Sequence, residues 1–192
     1  VGKANLANEK ANVEFQKLIN IPIKKAADII TDYQKGVETP YNKQIKEVFD
    51  NIYNESIERG FNVDYRENYL PQVYADSPVE ISAAVARYME KNGVEKGMIQ
   101  DYLDGKPLSL QTANKLKMSP TFTKERSFPT YEVAKEFGLT PKFQHPGQLA
   151  AYARHQLEVS LANRRWLDQM KEMGELTTDR PGGYKPIDVS FS

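Results

Sequence analysis

Ser77-Pro78-Val79-Glu80-Ile81-Ser82-Ala83-Ala84-Val85-Ala86-Arg87-Tyr88-Met89-Glu90-Lys91-Asn92-Gly93 carries the full set of signals for one helix, from first turn to stop. Ser77 and Glu80 stand at the spacing of a capping box, in which each side chain accepts a hydrogen bond from the other residue's backbone N–H. Pro78 takes the first helical position, where a missing N–H costs nothing. Ile81, Val85, Tyr88 and Met89 recur at intervals of three and four and so share one face. Asn92-Gly93 offers the left-handed residue on which helices end.

The same grammar recurs on both sides. Downstream, Val94, Met98, Ile99, Tyr102 and Leu103 predict a short helix over 94–103 that stops at Asp104-Gly105, and a third is expected over 110–116. Upstream, Thr39 reads as an N-cap with Pro40 at the first helical position, and Ile45, Val48, Phe49 and Ile52 form the buried face until Arg59-Gly60. Pro22 divides two earlier helices, the first carrying Leu6, Phe15, Leu18 and Ile19, the second Ile23, Ala26, Ala27, Ile30 and Tyr33. Pro146 opens the longest helix, expected to reach about Met173, with Leu149, Tyr152, Ala153, Leu157, Leu161, Trp166, Leu167 and Met170 on a wide apolar side. Only Gln72-Val73-Tyr74 and Thr121-Phe122-Thr123 suit an extended strand, and neither has an evident pairing partner. The fold expected is mainly α: an irregular helical bundle with long Pro-containing connections and little or no β. Gly60, Asn62, Asp64 and Pro71 suggest a soft boundary. The expected division is a helical segment over 1–60, a helical domain over 61–174 and an extended tail over 175–192.

Composition narrows the functional classes. The chain has 192 residues, with 26 basic side chains against 26 acidic ones, so no global basic surplus favours nucleic acid or an anionic membrane. The balance is not local: residues 1–105 hold 13 basic and 17 acidic side chains, residues 106–172 hold 11 and 6. The absence of Cys removes thiolate metal sites and cysteine nucleophiles. No apolar run approaches the roughly 20 residues that span a bilayer, and no signal-peptide pattern opens the chain. Val1 in place of Met, and a loop-like close, are expected of a piece of a longer chain or a processed product.

Motifs for chemistry are missing. The two histidines, His145 and His155, stand ten apart and outside a His-Glu-x-x-His pattern. His145 reads as the start of the last helix and His155 as a member of its polar side. No phosphate-cradling glycine loop occurs, and Gly182-Gly183 precede no helix. Glu55 with Glu58, and Asp101 with Asp104, are carboxylates on helix faces, as solvated helices carry anyway. Asp64-Tyr65-Arg66-Glu67-Asn68 lacks the glycine and the terminal acid of a calcium loop. No catalytic residue, metal ligand or cofactor is therefore expected, and the chain reads as a non-enzyme. For nucleic acid, the candidates are Lys115, Lys117, Lys124, Lys142, Arg164 and Arg165, with Arg126 and with Phe122, Phe128 and Phe143 interleaved. The competing reading points the Phe rings inward to pin an irregular connection. A helix-turn-helix over 81–103 would present Glu95, Asp101 and Asp104 to phosphate and is a poor reader.

Two stretches stand apart. One is Arg66-Glu67-Asn68-Tyr69-Leu70-Pro71-Gln72-Val73-Tyr74. The other runs from Phe122 through Arg126-Ser127-Phe128-Pro129-Thr130-Tyr131-Glu132-Val133-Ala134 to Phe137-Gly138-Leu139-Thr140-Pro141. Their order, over roughly residues 64–172, resembles a segment of very large multi-domain proteins of tailed bacteriophages: internal virion or ejection proteins, and the "large polyvalent" proteins of phages and mobile elements. Gln72 departs from the pattern, where His follows the Tyr-x-Pro proline. Read physically, Tyr69, Pro71, Arg126, Phe128, Thr130, Gly138 and Pro141 are loop architecture. Pro71 holds its predecessor extended, Arg126 ties carbonyls or a carboxylate with its fork of donors, Thr130 caps a helix, Gly138 ends it and Pro141 prevents its restart.

The resemblance implies a non-enzymatic structural or interaction segment of a larger virion protein. Its partners would be other virion proteins or other parts of the same chain, in the virion and in the host cytoplasm or periplasm during assembly or infection. The second expectation is a nucleic-acid-binding module using the basic 106–172 region. The third is a cell-wall-cleaving enzyme with carboxylates that the sequence does not single out.

Overall fold

Eight helices follow one another in the computed structural model, which describes residues 2–63, 65–123 and 127–174: α1 Gly2–Lys17, α2 Ile23–Gln34, α3 Asn42–Glu58, α4 Pro78–Lys91, α5 Lys96–Leu103, α6 Leu110–Leu116, α7 Tyr131–Glu136 and α8 Pro146–Glu172. No strand forms among the described residues, and the one β-type contact is an isolated antiparallel bridge between Tyr74 and Pro141. The mainly α class holds. The expected tail over 175–192, with Gly182-Gly183, lies outside the described residues, as do Asp64, Lys124 and Arg126.

Local signals set most helix ends. Ser77 Oγ accepts from Glu80 N while the Glu80 carboxylate accepts from Ser77 N at 2.8 Å, so the capping box is complete. Thr130 caps α7 by accepting from Val133 N. Gly138 ends that helix at φ +91°, with its own N–H on Lys135 O and the Leu139 N–H on Ala134 O. His145 begins α8, its Nδ1 accepting from Gly147 N and its Nε2 lying 2.9 Å from Ile21 O.

Two ends differ from expectation. α3 begins at Asn42, not Pro40. Thr39 Oγ1 accepts from Tyr41 N and the Asn42 side chain turns back to Thr39 N, so the hydroxyl makes a tight turn rather than a cap. α5 begins at Lys96 because the Val94 N–H is still engaged with Met89 O, closing α4.

One buried cluster runs from Leu18 in the turn after α1 to Leu161 in α8, drawing on α2–α7 between them. It crosses the 60/61 division expected from the sequence. Ile45, Val48 and Ile52 of α3 and Ile81, Val85 and Met89 of α4 are buried as their spacing predicts. The first apolar set packs differently: Leu6 of α1 and Ile19 beyond it are exposed, and the residues packed inward are Ala7 and Glu14 of α1 and Leu18 of the turn. Ile23, expected inside, is 86% exposed at the first turn of α2.

α1 lies antiparallel along α8, with Lys10 opposite Glu158, Glu14 opposite Arg154 and Phe15 opposite Gly147. The helices approach closely at that last point. A Cβ on Gly147 would sit 3.0 Å from the Phe15 ring and 3.1 Å from its carbonyl oxygen.

Candidate functional site: a polar cleft beside the joined motifs

The two stretches set apart in the sequence form one structure. Gln72 is buried, and its amide donates to Phe128 O at 2.7 Å while its oxygen accepts from the Tyr74 hydroxyl. The Tyr131 hydroxyl donates to Pro71 O at 3.1 Å and accepts from Val73 N at 2.8 Å. On the other edge, Ala75 N donates to Thr140 O, Lys142 N to Val73 O, and Thr140 N to the Asp76 carboxylate. Residues 70–76 are thus threaded between 127–131 and 139–142, with every bond crossing more than fifty residues except that of Tyr74 to Gln72. Extended backbone carries unsatisfied N–H and C=O groups, and these side chains supply the partners that a sheet would. The Tyr74 and Tyr131 rings meet edge to face at 5.8 Å. Burial drives both phenols well above their ordinary pKa; for Tyr131 the Val73 amide pulls the other way and loses.

Tyr69, Pro71, Phe128, Thr130, Gly138 and Pro141, read in the sequence as loop architecture, lie in the joined motifs or at the ends of α7. Pro71, Phe128, Thr130 and Pro141 are buried, and Tyr69 is half-buried. Arg126 is outside the described residues; the task foreseen for it, tying down carbonyls, is done elsewhere by other groups. Arg87 donates to Phe137 O at the end of α7, Tyr88 to Leu116 O at the end of α6, and Arg164 to Arg59 O and Gly60 O at the end of α3. Helix ends leave carbonyls without intrahelical partners, and these donors serve them.

On one side of the joined motifs lies a polar cleft of about 630 Å³. Its floor is Tyr69, Leu70, Gln72, Phe128, Pro129 and Thr130, so both motifs line it. Among the described residues, Lys35 from the end of α2, Arg66 from the 61–76 connection, and Lys115 and Lys117 from the end of α6 bring four cations to its lining, and Glu67 is the one acidic residue. Lys35 is paired with Glu132, and Glu67 lies 3.5 Å from Lys46. Lys115 and Lys117 are exposed and form no ion pair among the described residues. Among those residues, Asn68 and Lys117 are the two non-glycine positions with positive φ, and both line the cleft. Lys117 ends α6 in the left-handed region, with Met118 N on Ala113 O, where glycine is the usual occupant.

Of the remaining nucleic-acid candidates, Lys142, Arg164 and Arg165 do not line the cleft, and Lys124 lies outside the described residues. Lys142 lies over the Phe143 ring, outside the cleft, and Arg165 is an exposed residue of α8. Arg164 stacks on Phe61 at 4.3 Å in addition to holding the end of α3. Phe128 is 1% exposed, Phe122 packs edge-on against Tyr102, and Phe143 packs against Tyr152. The rings therefore pin the connection to the core.

A second polar assembly went unread in the sequence. Arg154, 7% exposed, sends Nε and Nη2 to Glu14 and Nη1 to Glu55 and Glu158, with its closest contacts at 2.5 Å to Glu55 and 3.0 Å to Glu14. Lys10 reaches Glu158, Arg59 reaches Glu55, and Lys17 Nζ lies 3.3 Å from Glu14 Oε2 without hydrogen-bond geometry. Burial pushes the Glu55 carboxyl up, but the Arg154 hydrogen bond and charge, aided by Lys10 and Arg59, outweigh it and hold the group below its ordinary value. Burial also weighs against the Arg154 charge, and Glu55 and Glu14 reverse that effect. A carboxylate so held is a poor general acid or base near neutrality. The available signal was Arg154 interrupting the apolar side of α8. Its partners, 140 and 99 residues away, were not legible.

Of the carboxylate pairs singled out in the sequence, Glu55 belongs to this network while Glu58 is exposed; Asp101 and Asp104 are exposed and engage Lys106 and Gln100. No group of three or more His, Asp or Glu side chains suited to a metal ion occurs among the described residues, and no helix described is long and apolar enough to cross a membrane. No protein-family model matches the chain, and no curated protein or solved structure is found to be similar to it.

Proposed function

We propose that this chain is a non-enzymatic structural and interaction segment of a larger phage virion protein. The observation that carries the non-enzymatic part is the use made of the buried polar groups. Arg154, Glu14 and Glu55 are committed to holding three helices together, and Gln72, Tyr74 and Tyr131 to holding extended backbone. Groups held in mutual neutralisation or on backbone partners are poorly placed to exchange a proton with a substrate.

Support for the virion part is the resemblance of the 64–172 region, whose recurring residues serve here as architecture. The interaction part draws on apolar side chains left in solvent at helix starts: Ile23, Val79 and Leu110 are 86%, 79% and 72% exposed. Single exposed apolar residues are ordinary; three at first turns, where no packing role holds them, suit contact with other chains.

Mass spectrometry of purified particles of the virus that encodes the chain tests the reading. Peptides of the 2–174 region are expected in the particles. Their presence in infected cells and absence from particles overturns the virion part, and release of soluble fragments from peptidoglycan by the pure chain overturns the non-enzymatic part.

A further inference from the structure

The cleft beside the joined motifs has a composition that neither the fold nor the interaction reading requires. A structural joint is served by neutralised groups, as the Arg154 assembly shows. Lys115 and Lys117, two residues apart at the end of α6, instead form no ion pair among the described residues. Arg66 and Lys35 also line the cleft, Lys35 in an ion pair with Glu132, and Glu67, the one acid lining it among the described residues, lies 3.5 Å from Lys46. Lys115 and Lys117 lack such compensation among the described residues, so an anion that enters the hollow is stabilised.

The position of Lys117 sharpens this. It stands where the backbone is left-handed at φ +54°, a conformation that costs an ordinary side chain about 1–2 kcal/mol and glycine almost nothing. A lysine there is conformationally unfavourable, yet its side chain lines the cleft. The volume, about 630 Å³, falls in the range that holds a small ligand and is far too small for a duplex. The lining also carries the Asn68 and Asn92 side chains and the half-buried Tyr69 and Tyr88 rings, so a phosphate attached to a flat organic group is suited better than a bare carboxylate.

We propose that this cleft is a phosphate-binding site for a nucleotide-like ligand, with Lys115 and Lys117 as its charged wall. The ligand is a free nucleotide or a nucleotide within a single strand; the phosphate chemistry is common to both. The inference does not rest on the virion reading, and either stands if the other falls.

The test is a titration of the pure chain with inorganic phosphate, a deoxynucleoside monophosphate and a short single-stranded oligonucleotide at about 50 mM salt, followed by amide chemical shifts around Lys117. Saturable shifts are expected with the nucleotide or the oligonucleotide. For the oligonucleotide the logarithm of affinity should fall with that of salt by about 0.7 per phosphate contacted. Binding of the monophosphate as tight as that of the oligonucleotide identifies a free nucleotide; much tighter oligonucleotide binding identifies a strand. K115Q/K117Q should weaken binding at least tenfold with an unchanged urea midpoint, and K115E alone should weaken it comparably. K24Q/K25Q, which removes equal charge from exposed positions on α2, should change it less than twofold. Absence of saturable shifts with all three probes, or equal loss in K24Q/K25Q and K115Q/K117Q, overturns the proposal.

Discussion

The contact of α1 with α8 is bridged by ionised side chains, whereas the joint of residues 70–76 with 127–142 is bridged mainly by phenols, an amide and backbone groups, with the Asp76 carboxylate accepting from Thr140 N at its exposed edge. Both join segments far apart in the chain, and both place polar atoms where water is scarce. They differ in what happens when one partner is lost. A buried ion pair survives only as a pair, since removing one charge leaves the other desolvated. A neutral bond removed leaves one unsatisfied donor or acceptor, a smaller penalty. Opposite pH windows follow as well. The folded pKa of Glu55 is lowered, so its contribution is present above the ordinary carboxylate value and lost as pH falls through the folded one. The folded pKa values of Tyr74 and Tyr131 are raised, so their contribution is full below the ordinary phenol value and lost as pH rises through the folded one.

The largest effect should come from Arg154→Met. It strands the carboxylate of Glu14, whose side chain is 4% exposed, and should cost about 3–5 kcal/mol by urea unfolding. Adding Glu14→Gln should return part of that loss; a double variant no more stable than the single one would break the contrast between the two joints.

Acid should reproduce part of the same loss without mutation. As pH falls below about 4, where carboxylates ordinarily protonate, proteolysis in the turn between α1 and α2 should rise before cleavage within 70–76 does. Simultaneous cleavage of the two regions would mean that charge does not distinguish them. On the alkaline side the order should reverse above about pH 10, as unfolded tyrosines ionise. Tyr102, whose phenol is pushed up to about 12 by burial while Arg66 lowers it slightly, should resist ionisation with the tyrosine joint.

Tyr131→Phe should cost about 1–3 kcal/mol, because the Val73 N–H and the Pro71 carbonyl both lose their partner. Hydrogen exchange at Val73 should accelerate more than at residues of α1. An unchanged urea midpoint would show that water replaces the hydroxyl at no cost.

The smallest change calibrates the others. Ser77→Ala removes a local, exposed cap and should cost about 0.5–2 kcal/mol, with an unchanged unfolding slope. A loss as large as that of Arg154→Met would mean that local and long-range polar bonds are not separable in this fold.

Local readings succeeded where the cause lies within four residues. Ser77 with Glu80, Thr130 with Val133, Gly138 at its left-handed φ and the opening of α8 after His145 were all legible, because caps and stops are built from neighbours. Thr39 failed within the same range: its hydroxyl had two local uses, a cap or a turn, and Asn42 tipped it to the turn. The cleft was half legible. Lys115 and Lys117 were noted as basic, but nothing in the order of residues put Lys35 and Arg66 across from them.

What the sequence by itself determined is the class and the punctuation: helices over nearly their observed spans, long proline-bearing connections, and the residues that begin and end them. Their causes, hydrogen bonds of three to five residues and a period of 3.6, act along the chain. What only the tertiary structure decided is which polar residues are inside. Nothing in the order of residues marks Glu14 and Arg154 as partners, and α1 lying antiparallel on α8 makes them a buried pair. Gln72 and Tyr131 likewise gained their partners only when 70–76 passed between 127–131 and 139–142. A polar side chain is tolerated in the core only when its complement arrives there too, and that complement comes from packing between distant segments rather than from neighbours in sequence.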